Sequence, residues 1–265
     1  MRSHILAAAL GVLATAAGAA AQTPDSVLLE ELTWTEVRDA VGAGKTTIII
    51  PVGGTEQNGP HMALGKHNAR VKALSQDVAR NLGDALVAPV IAYVPEGAIT
   101  PPTAHMRYPG TITTPDDAFL KVLEWAARSF RQHGFRNIVL LGDHGSTQAG
   151  QKAVAARLNR EWSAGGARVH AIEEYYRAAE TEVPRLLRAR GYSDAELGRH
   201  AGLTDTALML ATDARLVRAD RLRPGTPGDG VDGDPTRATA ELGRPGVELI
   251  VSRTVDAVRK SISHR

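Results

Sequence analysis

The sequence predicts an α/β protein with a three-layer α/β/α arrangement and a mostly parallel central sheet. Apolar, β-branched runs alternate along the chain with amphipathic stretches, a pattern typical of parallel strands joined by crossover helices. The run at 46–52, TTIIIPV, has the continuous apolar character of a strand covered on both faces. No internal repeat or long low-complexity segment interrupts the pattern, and we expect a single domain over residues 22–265.

Local signals predict where the helices and strands begin and end. Thr33 and Glu36 have the spacing of a capping box, which predicts a helix that starts there and ends near residues 42–44. The segment 114–117, TPDD, places a cap, a proline and two acidic residues where a helix start favours them, and this helix should end near Gly134. The other predicted elements are a helix at 68–82, strands at 86–92, 137–141 and 168–172, and mostly helical structure beyond Glu173, with a loop at 223–235.

Residues 1–21 are predicted to be a signal peptide. Arg2 and His4 precede an apolar run from Ile5 to about Ala17, and the alanines at 19–21 offer a cleavage site before Gln22. The apolar run is too short to span a bilayer, and no later segment is long and apolar enough to do so. We therefore expect a periplasmic or secreted chain without a membrane span.

The composition excludes several kinds of site. The chain has no cysteine, so thiolate metal ligands and cysteine nucleophiles are absent. The formal net charge is +2 and the basic residues are scattered among acidic ones, so the basic stripe of a nucleic-acid binder is missing. The segment 143–147, DHGST, lacks the Gly-x-Ser-x-Gly elbow of a serine hydrolase. A small-molecule partner is the remaining expectation.

Glu56, His67 and His144 are the strongest candidate metal ligands. Their loops follow predicted strands directly, at the carboxyl edge where an open parallel sheet binds ligands. Carboxylate oxygen and imidazole nitrogen suit zinc, manganese or iron, and three protein ligands leave positions open for water. Spacing alone leaves an alternative open, in which Glu56 caps a helix and the two histidines lie on the surface.

A second cluster, HAGLTDTALML at 200–210, contains His200 and Asp205. A histidine and a carboxylate near a metal-bound water could act as general acid and base. Alternatively, Asp205 only favours the first helical turn through the helix dipole, and His200 is a loop residue. His61 and His105 come from Pro-rich loops, where each could line a pocket or hydrogen-bond to the backbone.

Several segments, in order along the chain, resemble the creatininase family of metal-dependent amidohydrolases. Residues 51–67 resemble a family strand followed by GSTEQHGPHLPLxTD, and residues 104–111 resemble EHxxFPGT. Residues 142–147 resemble NGHGGN, residues 200–210 resemble HAGExETSxML, and residues 233–243 resemble GDPxxATAEKG. The resemblance implies a three-layer α/β/α fold, frequent assembly into homo-oligomers, and hydrolysis of a C–N bond at a divalent metal site.

The resemblance also exposes departures at the metal site. Glu56 and His144 match the family's metal carboxylate and metal histidine. Asn58 stands where the family has a metal-binding histidine, and His67 stands where it has an aspartate that bridges two metals. A neutral imidazole has one free lone pair and does not ordinarily bridge. We therefore expect one metal per chain rather than two, zinc or else manganese or iron, held by Glu56, His67 and His144.

His200 matches the histidine of HAGExE and keeps a proton-transfer role, shared with Asp205, a shortened version of the family's later glutamate. Leu203 replaces the earlier glutamate, which removes a partner for an amine or guanidinium and argues against creatinine as substrate. The residues expected to line the substrate site are Asn58, His61 and His105. We expect a hydrolase of a small linear or cyclic amide, with metal-bound water as nucleophile. The alternatives are a binding protein that has lost catalysis and a lactonase with the same nucleophile.

Overall fold

The computed structural model describes residues 25–264, so the predicted signal peptide lies outside the described residues. Within that range, β1 (Thr47–Val52), β2 (Ala85–Val87), β3 (Asn137–Gly142) and β4 (Arg168–Ala171) form one parallel sheet in the order β2-β1-β3-β4. Ile49 of β1 pairs with Val87 on one side and with Val139 on the other. The predicted parallel sheet is confirmed.

β2 is shorter than the segment predicted at 86–92. It stops at Val87, two residues before Pro89, whose nitrogen has no hydrogen to donate to a sheet. A single bridge joins Val52 to Ile91, after which the chain leaves the sheet as a long loop. This loop passes the carboxyl edge of the sheet before the next long helix begins.

Helices cover both faces of the sheet. They are α1 (Trp34–Gly42), α2 (Lys66–Leu82), α3 (Asp116–Gln132), α4 (Gln148–Glu161), α5 (Glu174–Arg177), α6 (Val183–Arg188), α7 (Asp194–Leu197), α8 (Leu203–Asp213) and α9 (Ala240–Ser263), with a π-helical turn at Ala178–Glu182. Successive strand residues point to opposite faces. Ile49 and Val139 pack with α2, α8 and α9, whereas Ile48 and Ile138 pack with α3 and α4. The predicted three-layer α/β/α fold is therefore confirmed.

Helix starts agree with the sequence signals in one case and differ in another. At α1, Thr33 and Glu36 form both hydrogen bonds of the predicted capping box. α3 begins at Asp116 with Pro115 at the N-cap position and no side-chain cap, so Thr114 does not cap this helix. Within residues 25–264, no helix combines the length and hydropathy needed to cross a bilayer.

α2 begins at Lys66, two residues before the predicted start. Gly65 occupies the N-cap position, where it has no side chain to mark the helix boundary. Because the helix starts earlier, Lys66 and His67 lie in its first turn and share its buried face with Arg70. Leu74, farther along the same face, packs in the core. α2 thus carries three basic side chains to the carboxyl edge of the sheet.

Candidate metal centre

The candidate metal centre lies at the carboxyl edge of the sheet, where three strands deliver their loops. Glu56 follows β1, His144 follows β3, and the long loop after β2 contributes Glu96 and His105. Parallel strands end at the same edge, so residues far apart in sequence meet there.

One ligand atom from each of these four side chains lies within 4.8 Å of the others. Oε2 of Glu56 lies 2.8 Å from Nε2 of His144 and 3.0 Å from Nε2 of His105. Oε2 of Glu96 lies 3.2 Å from Nε2 of His144. His105 is the most exposed of the four, with 26% of its side chain accessible to solvent. The group therefore gathers two carboxylates and two imidazoles within reach of one ion.

Glu96 is the member of the group to which no described residue donates a hydrogen bond. Its side chain is fully buried, and neither carboxylate oxygen accepts a hydrogen bond from a described residue. Burial raises the pKa of Glu96 to about 8, although the charge of His144 opposes the rise, and the neighbouring Glu56 carboxylate adds to it. A buried carboxylate without a donor is costly, and a cation is the partner that would satisfy it.

Hydrogen bonds at Nδ1 hold the two histidines in place. Nδ1 of His144 lies 2.7 Å from the hydroxyl of Ser146, and Nδ1 of His105 lies 3.1 Å from the side-chain nitrogen of Gln57. The side-chain nitrogen of Gln57 and the backbone N–H of Ser146 can only donate, so Nδ1 of each ring accepts, whereas a metal-bound histidine usually donates from this nitrogen. Burial lowers the pKa of His144, but the hydrogen bond and charge of Glu56 outweigh burial and raise it. Both Nε2 atoms are thus directed at Glu56.

The other oxygen of Glu56 faces a different set of groups. Oε1 lies 2.7 Å from Nε2 of His67, 3.8 Å from Nδ1 of His200 and 4.0 Å from Nζ of Lys66. Burial alone would raise the pKa of Glu56, but hydrogen bonds from two histidines and the Lys66 charge lower it well below the ordinary value. Glu56 is therefore ionised, and its two oxygens belong to two different environments.

The structure brings two of the three predicted metal ligands into the four-residue group. Glu56 and His144 belong to it, whereas His67 contacts the opposite oxygen of Glu56. Nδ1 of His67 is hydrogen-bonded to Asp143, so each ring nitrogen of His67 has a carboxylate partner. Compared with the predicted set, the group leaves out His67 and includes Glu96 and His105.

Arg70 neutralises the buried carboxylate of Asp143. Its guanidinium donates to both Asp143 oxygens over distances of 2.7 to 3.1 Å. Asp143 also accepts hydrogen bonds from His67 and from the hydroxyl of Tyr175. Burial opposes ionisation, but Arg70 and His67 lower the pKa of Asp143 to about 2. Asp143 thereby fixes the His67 ring that hydrogen-bonds to Glu56.

The Asp205 carboxylate is engaged by two cations. Oδ2 lies 3.2 Å from Nζ of Lys66 and accepts a hydrogen bond from the backbone N–H of Ala201 at 3.0 Å. Oδ1 accepts a hydrogen bond from Arg70 at 2.9 Å. Burial would raise the pKa of Asp205, but Lys66 and Arg70 lower it well below the ordinary value. A carboxylate held ionised in this way is a poor proton acceptor near neutral pH.

Asn58 and His61, two of the residues predicted to line the substrate site, are completely buried. Asn58 donates a hydrogen bond to the backbone oxygen of Glu56 at 2.9 Å, and Nε2 of His61 lies 3.0 Å from the hydroxyl of Thr206. Neither side chain has surface that a substrate could contact. Both instead stabilise the loop that positions Glu56.

The site opens through a cavity of 840 Å³ whose wall includes Gln57, His105 and His200. Nε2 of His200 lies 2.9 Å from the backbone oxygen of Gln57. Nε2 also lies 3.0 Å from the side-chain nitrogen of Gln57, which can only donate, so these two contacts favour opposite tautomers of the ring. Burial and the Lys66 ammonium lower the pKa of His200 to about 4, so its ring is neutral at physiological pH.

Sequence reasoning missed three residues of this site, namely Glu96, Lys66 and Arg70. Glu96 lies in the loop after β2, and the rule that ligands gather at the carboxyl ends of parallel strands could have included it. Lys66 and Arg70 are four positions apart on α2, so a helix start two residues earlier would have placed them on one face with His67.

The sequence profile of the creatininase family, described as creatinine amidohydrolase, matches residues 30–258. This chain belongs to the creatininase family. Members of the creatininase family are hydrolases that act on C–N bonds. The chain is 28% identical to creatinine amidohydrolase from Pseudomonas putida over 255 residues, which cover 89% of this chain and 97% of that protein. It is also 28% identical to mycofactocin precursor peptide peptidase from Mycolicibacterium smegmatis over 222 residues, covering 80% and 84% of the two chains.

Solved creatininase structures share the fold. One described as a manganese structure matches with a TM-score of 0.72 at 26% identity, covering 89% of this chain and 98% of that chain. A glutamate-to-glutamine variant described as the zinc-zinc type matches with a TM-score of 0.71 at 27% identity and the same coverage of both chains. The predicted family and its fold are confirmed.

Proposed function

We propose that this chain hydrolyses a C–N bond in a small linear or cyclic amide and depends on one divalent metal ion. The observation that carries the proposal is the convergence of Glu56, Glu96, His105 and His144, in which both Glu96 oxygens lack a donor. Membership of a family of C–N hydrolases supports the reaction class. The four-residue group supports the metal.

The residues present fit a divalent ion. Two carboxylates and two imidazoles are ligands that zinc, manganese and iron accept. The charge of such an ion would also hold Glu96 ionised, although burial raises its pKa to about 8. We propose zinc first, with manganese or iron as alternatives, and the zinc and manganese descriptions of solved creatininases support this order.

We propose that His67 orients Glu56 and does not bind the ion. Its Nδ1 is held by Asp143, and its Nε2 lies 2.7 Å from Oε1 of Glu56, opposite the four-residue group. In the ligand set predicted from the sequence, Nε2 of His67 would have to leave this oxygen. Nε2 of His105 also lies 3.0 Å from a Glu56 oxygen, but this is the oxygen that faces Glu96 and His144 in the four-residue group.

Glu56, Glu96, His105 and His144 would hold such an ion, which would lower the pKa of a bound water toward neutrality and polarise a carbonyl oxygen. His105 and His200 line the cavity and are the proposed substrate contacts, because Asn58 and His61 are buried. We assign proton transfer from the attacking water to the leaving nitrogen to His200, because its neutral ring lines the cavity. We assign Asp205 a supporting role, since its carboxylate is paired with Lys66 and Arg70.

The Leu203 position informs the choice of substrates. The side chain is fully buried in the core, so no carboxylate faces the cavity from this place. A substrate that needs a carboxylate there to hold an amine or guanidinium has no partner at this position. We therefore expect amides without such a group to be hydrolysed faster than creatinine.

The proposal is tested with purified protein and a panel of formamides, linear amides, cyclic amides and short peptides. We expect release of a carboxylate or amine that stops when a chelator is added and resumes with Zn²⁺. His144→Ala should lose both bound metal and turnover. His200→Ala should lower turnover by roughly 10² to 10⁴-fold, with bound metal nearly unchanged.

His133→Ala is the matched control, because His133 is an exposed residue at the end of α3 and should change neither quantity. Equal metal loss in the His144 and His200 variants would argue against the proposed roles. Bound metal without turnover of any substrate would favour a binding protein. Chelator-sensitive cleavage of lactones alone would favour a lactonase.

A further inference from the structure

The Oε1 side of Glu56 is already supplied with positive charge by the protein itself. Lys66 is 1% exposed, and its Nζ lies 3.2 Å from Oδ2 of Asp205 and 4.0 Å from Oε1 of Glu56. Arg70 extends the pairing by joining Asp205 to Asp143. Each carboxylate on this side therefore has a cation from α2 as its neighbour.

The groups around Oε1 do not fit a second divalent ion. An ion needs lone pairs, whereas the Lys66 ammonium offers three hydrogens and no lone pair. Both ring nitrogens of His67 are hydrogen-bonded to carboxylates, so neither is directed at an open volume. The Lys66 charge would also repel a dication in a buried place, where screening is weak. A related creatininase variant is nevertheless described as the zinc-zinc type.

We propose that Lys66 is a built-in cation that takes the place of a second metal ion beside Glu56 and Asp205. The inference rests on the metal centre proposed above and deepens it by naming the residue that limits the chain to one divalent ion. It also implies that the acceptors facing Nζ can bind an ion once the ammonium is removed. Oε1 of Glu56 and Oδ2 of Asp205 face Nζ, and Nδ1 of His200 lies 3.8 Å from the same Glu56 oxygen. Carboxylate oxygen and imidazole nitrogen are both ligands that zinc accepts.

The test measures zinc per chain by mass spectrometry after saturation with Zn²⁺ and desalting. We expect one equivalent in the wild type and two in Lys66→Ser. The matched control is Lys72→Ser, which removes a partly exposed lysine from the same helix and should leave one equivalent. The midpoint of thermal unfolding, followed against Zn²⁺ concentration, gives a second measurement. At saturating Zn²⁺ it should rise with the logarithm of the concentration, about twice as steeply for Lys66→Ser as for the wild type and the control.

Two tightly bound equivalents in the wild type, or one equivalent in Lys66→Ser, would overturn the assignment of Lys66. A wild type that binds no zinc would instead overturn the metal centre on which the assignment rests, so the two failures are distinguishable. If Lys66→Ser does not fold without metal, Lys66→Gln replaces it, since glutamine removes the charge and offers an oxygen acceptor. Lys66→Gln should bind two equivalents, and one equivalent would again overturn the assignment.

Discussion

The two oxygens of Glu56 face environments that differ in how their buried carboxylates are neutralised. On the Oε1 side, the carboxylates of Asp143 and Asp205 are neutralised by Lys66 and Arg70 from α2. On the Oε2 side, Glu96 is equally buried, but its oxygens have no donor among the described residues. On the Oε1 side the protein itself supplies the neutralising charge. On the Oε2 side a bound cation is needed to supply it.

The contrast teaches how a cluster of acidic residues and histidines can be sorted into structural and metal-binding parts. Buried carboxyl groups normally accept hydrogen bonds, so one whose oxygens accept none indicates a missing partner. The pairing at Asp143 lowers the pKa of its carboxyl, whereas burial without a donor raises the pKa of Glu96. Opposite shifts within one site thus mark which carboxylate the protein has already satisfied.

The largest expected effect is a loss of stability of the metal-free protein at alkaline pH. The pKa of Glu96 is raised from 4.5 to about 8 in the folded protein. The protonated Glu96 carboxyl therefore adds to the free energy of unfolding. This contribution is fully present below pH 4.5 and lost as the pH rises through 8, because the folded state resists giving up the proton. The loss corresponds to about 5 kcal/mol of unfolding free energy. Denaturant unfolding between about pH 5 and pH 9 measures it.

On the Oε1 side, the contribution of Asp143 to the unfolding free energy should change with pH in the opposite direction. Burial opposes ionisation of Asp143, but Arg70 lowers its pKa from 3.8 to about 2, so its contribution is present above 3.8 and lost as the pH falls through 2. This contribution is about 2 kcal/mol. Added Zn²⁺, or the Glu96→Gln substitution, should remove the loss of stability at high pH. The loss of stability at low pH should remain. An alkaline loss that persists in Glu96→Gln would show that Glu96 is not its source.

The next effect comes from breaking the internal pairing. Asp143→Asn leaves the buried Arg70 without its bidentate partner and should reduce the unfolding free energy by about 3 to 5 kcal/mol. Glu30→Gln is the control, because it breaks a half-exposed pair with Lys72 and should cost less than about 1 kcal/mol. Equal losses in the two variants, measured by denaturant unfolding, would contradict the structural role of Asp143.

The architecture could be predicted from the sequence because its signals are local. The apolar run 46–52 and the strand at 137–141 read directly as buried strands, and β1 and β3 form there. The pairing of Thr33 with Glu36 depends on a spacing of three residues and was equally visible. Glu56 and His144 were also found, because both directly follow such strands.

The rest of the site depends on contacts between distant segments. Gly65 gives no capping signal, so the sequence predicts too late a start for α2 and does not mark Lys66 as a buried cation. Glu96 meets His144 only because the loop after β2 folds across the sheet edge. The pairing of Asp205 with Lys66 joins positions far apart in the chain, and no local pattern reveals it.

The central claim, one metal ion on the Oε2 side of Glu56, is tested most directly by a crystal structure of the zinc-saturated protein with anomalous data at the zinc edge. The predicted result is a single peak within about 2.0 to 2.2 Å of Glu56, Glu96, His105 and His144 ligand atoms, with Nζ of Lys66 on the opposite side of Glu56. A second peak on the Oε1 side, or a single peak bound by Nε2 of His67, would contradict it.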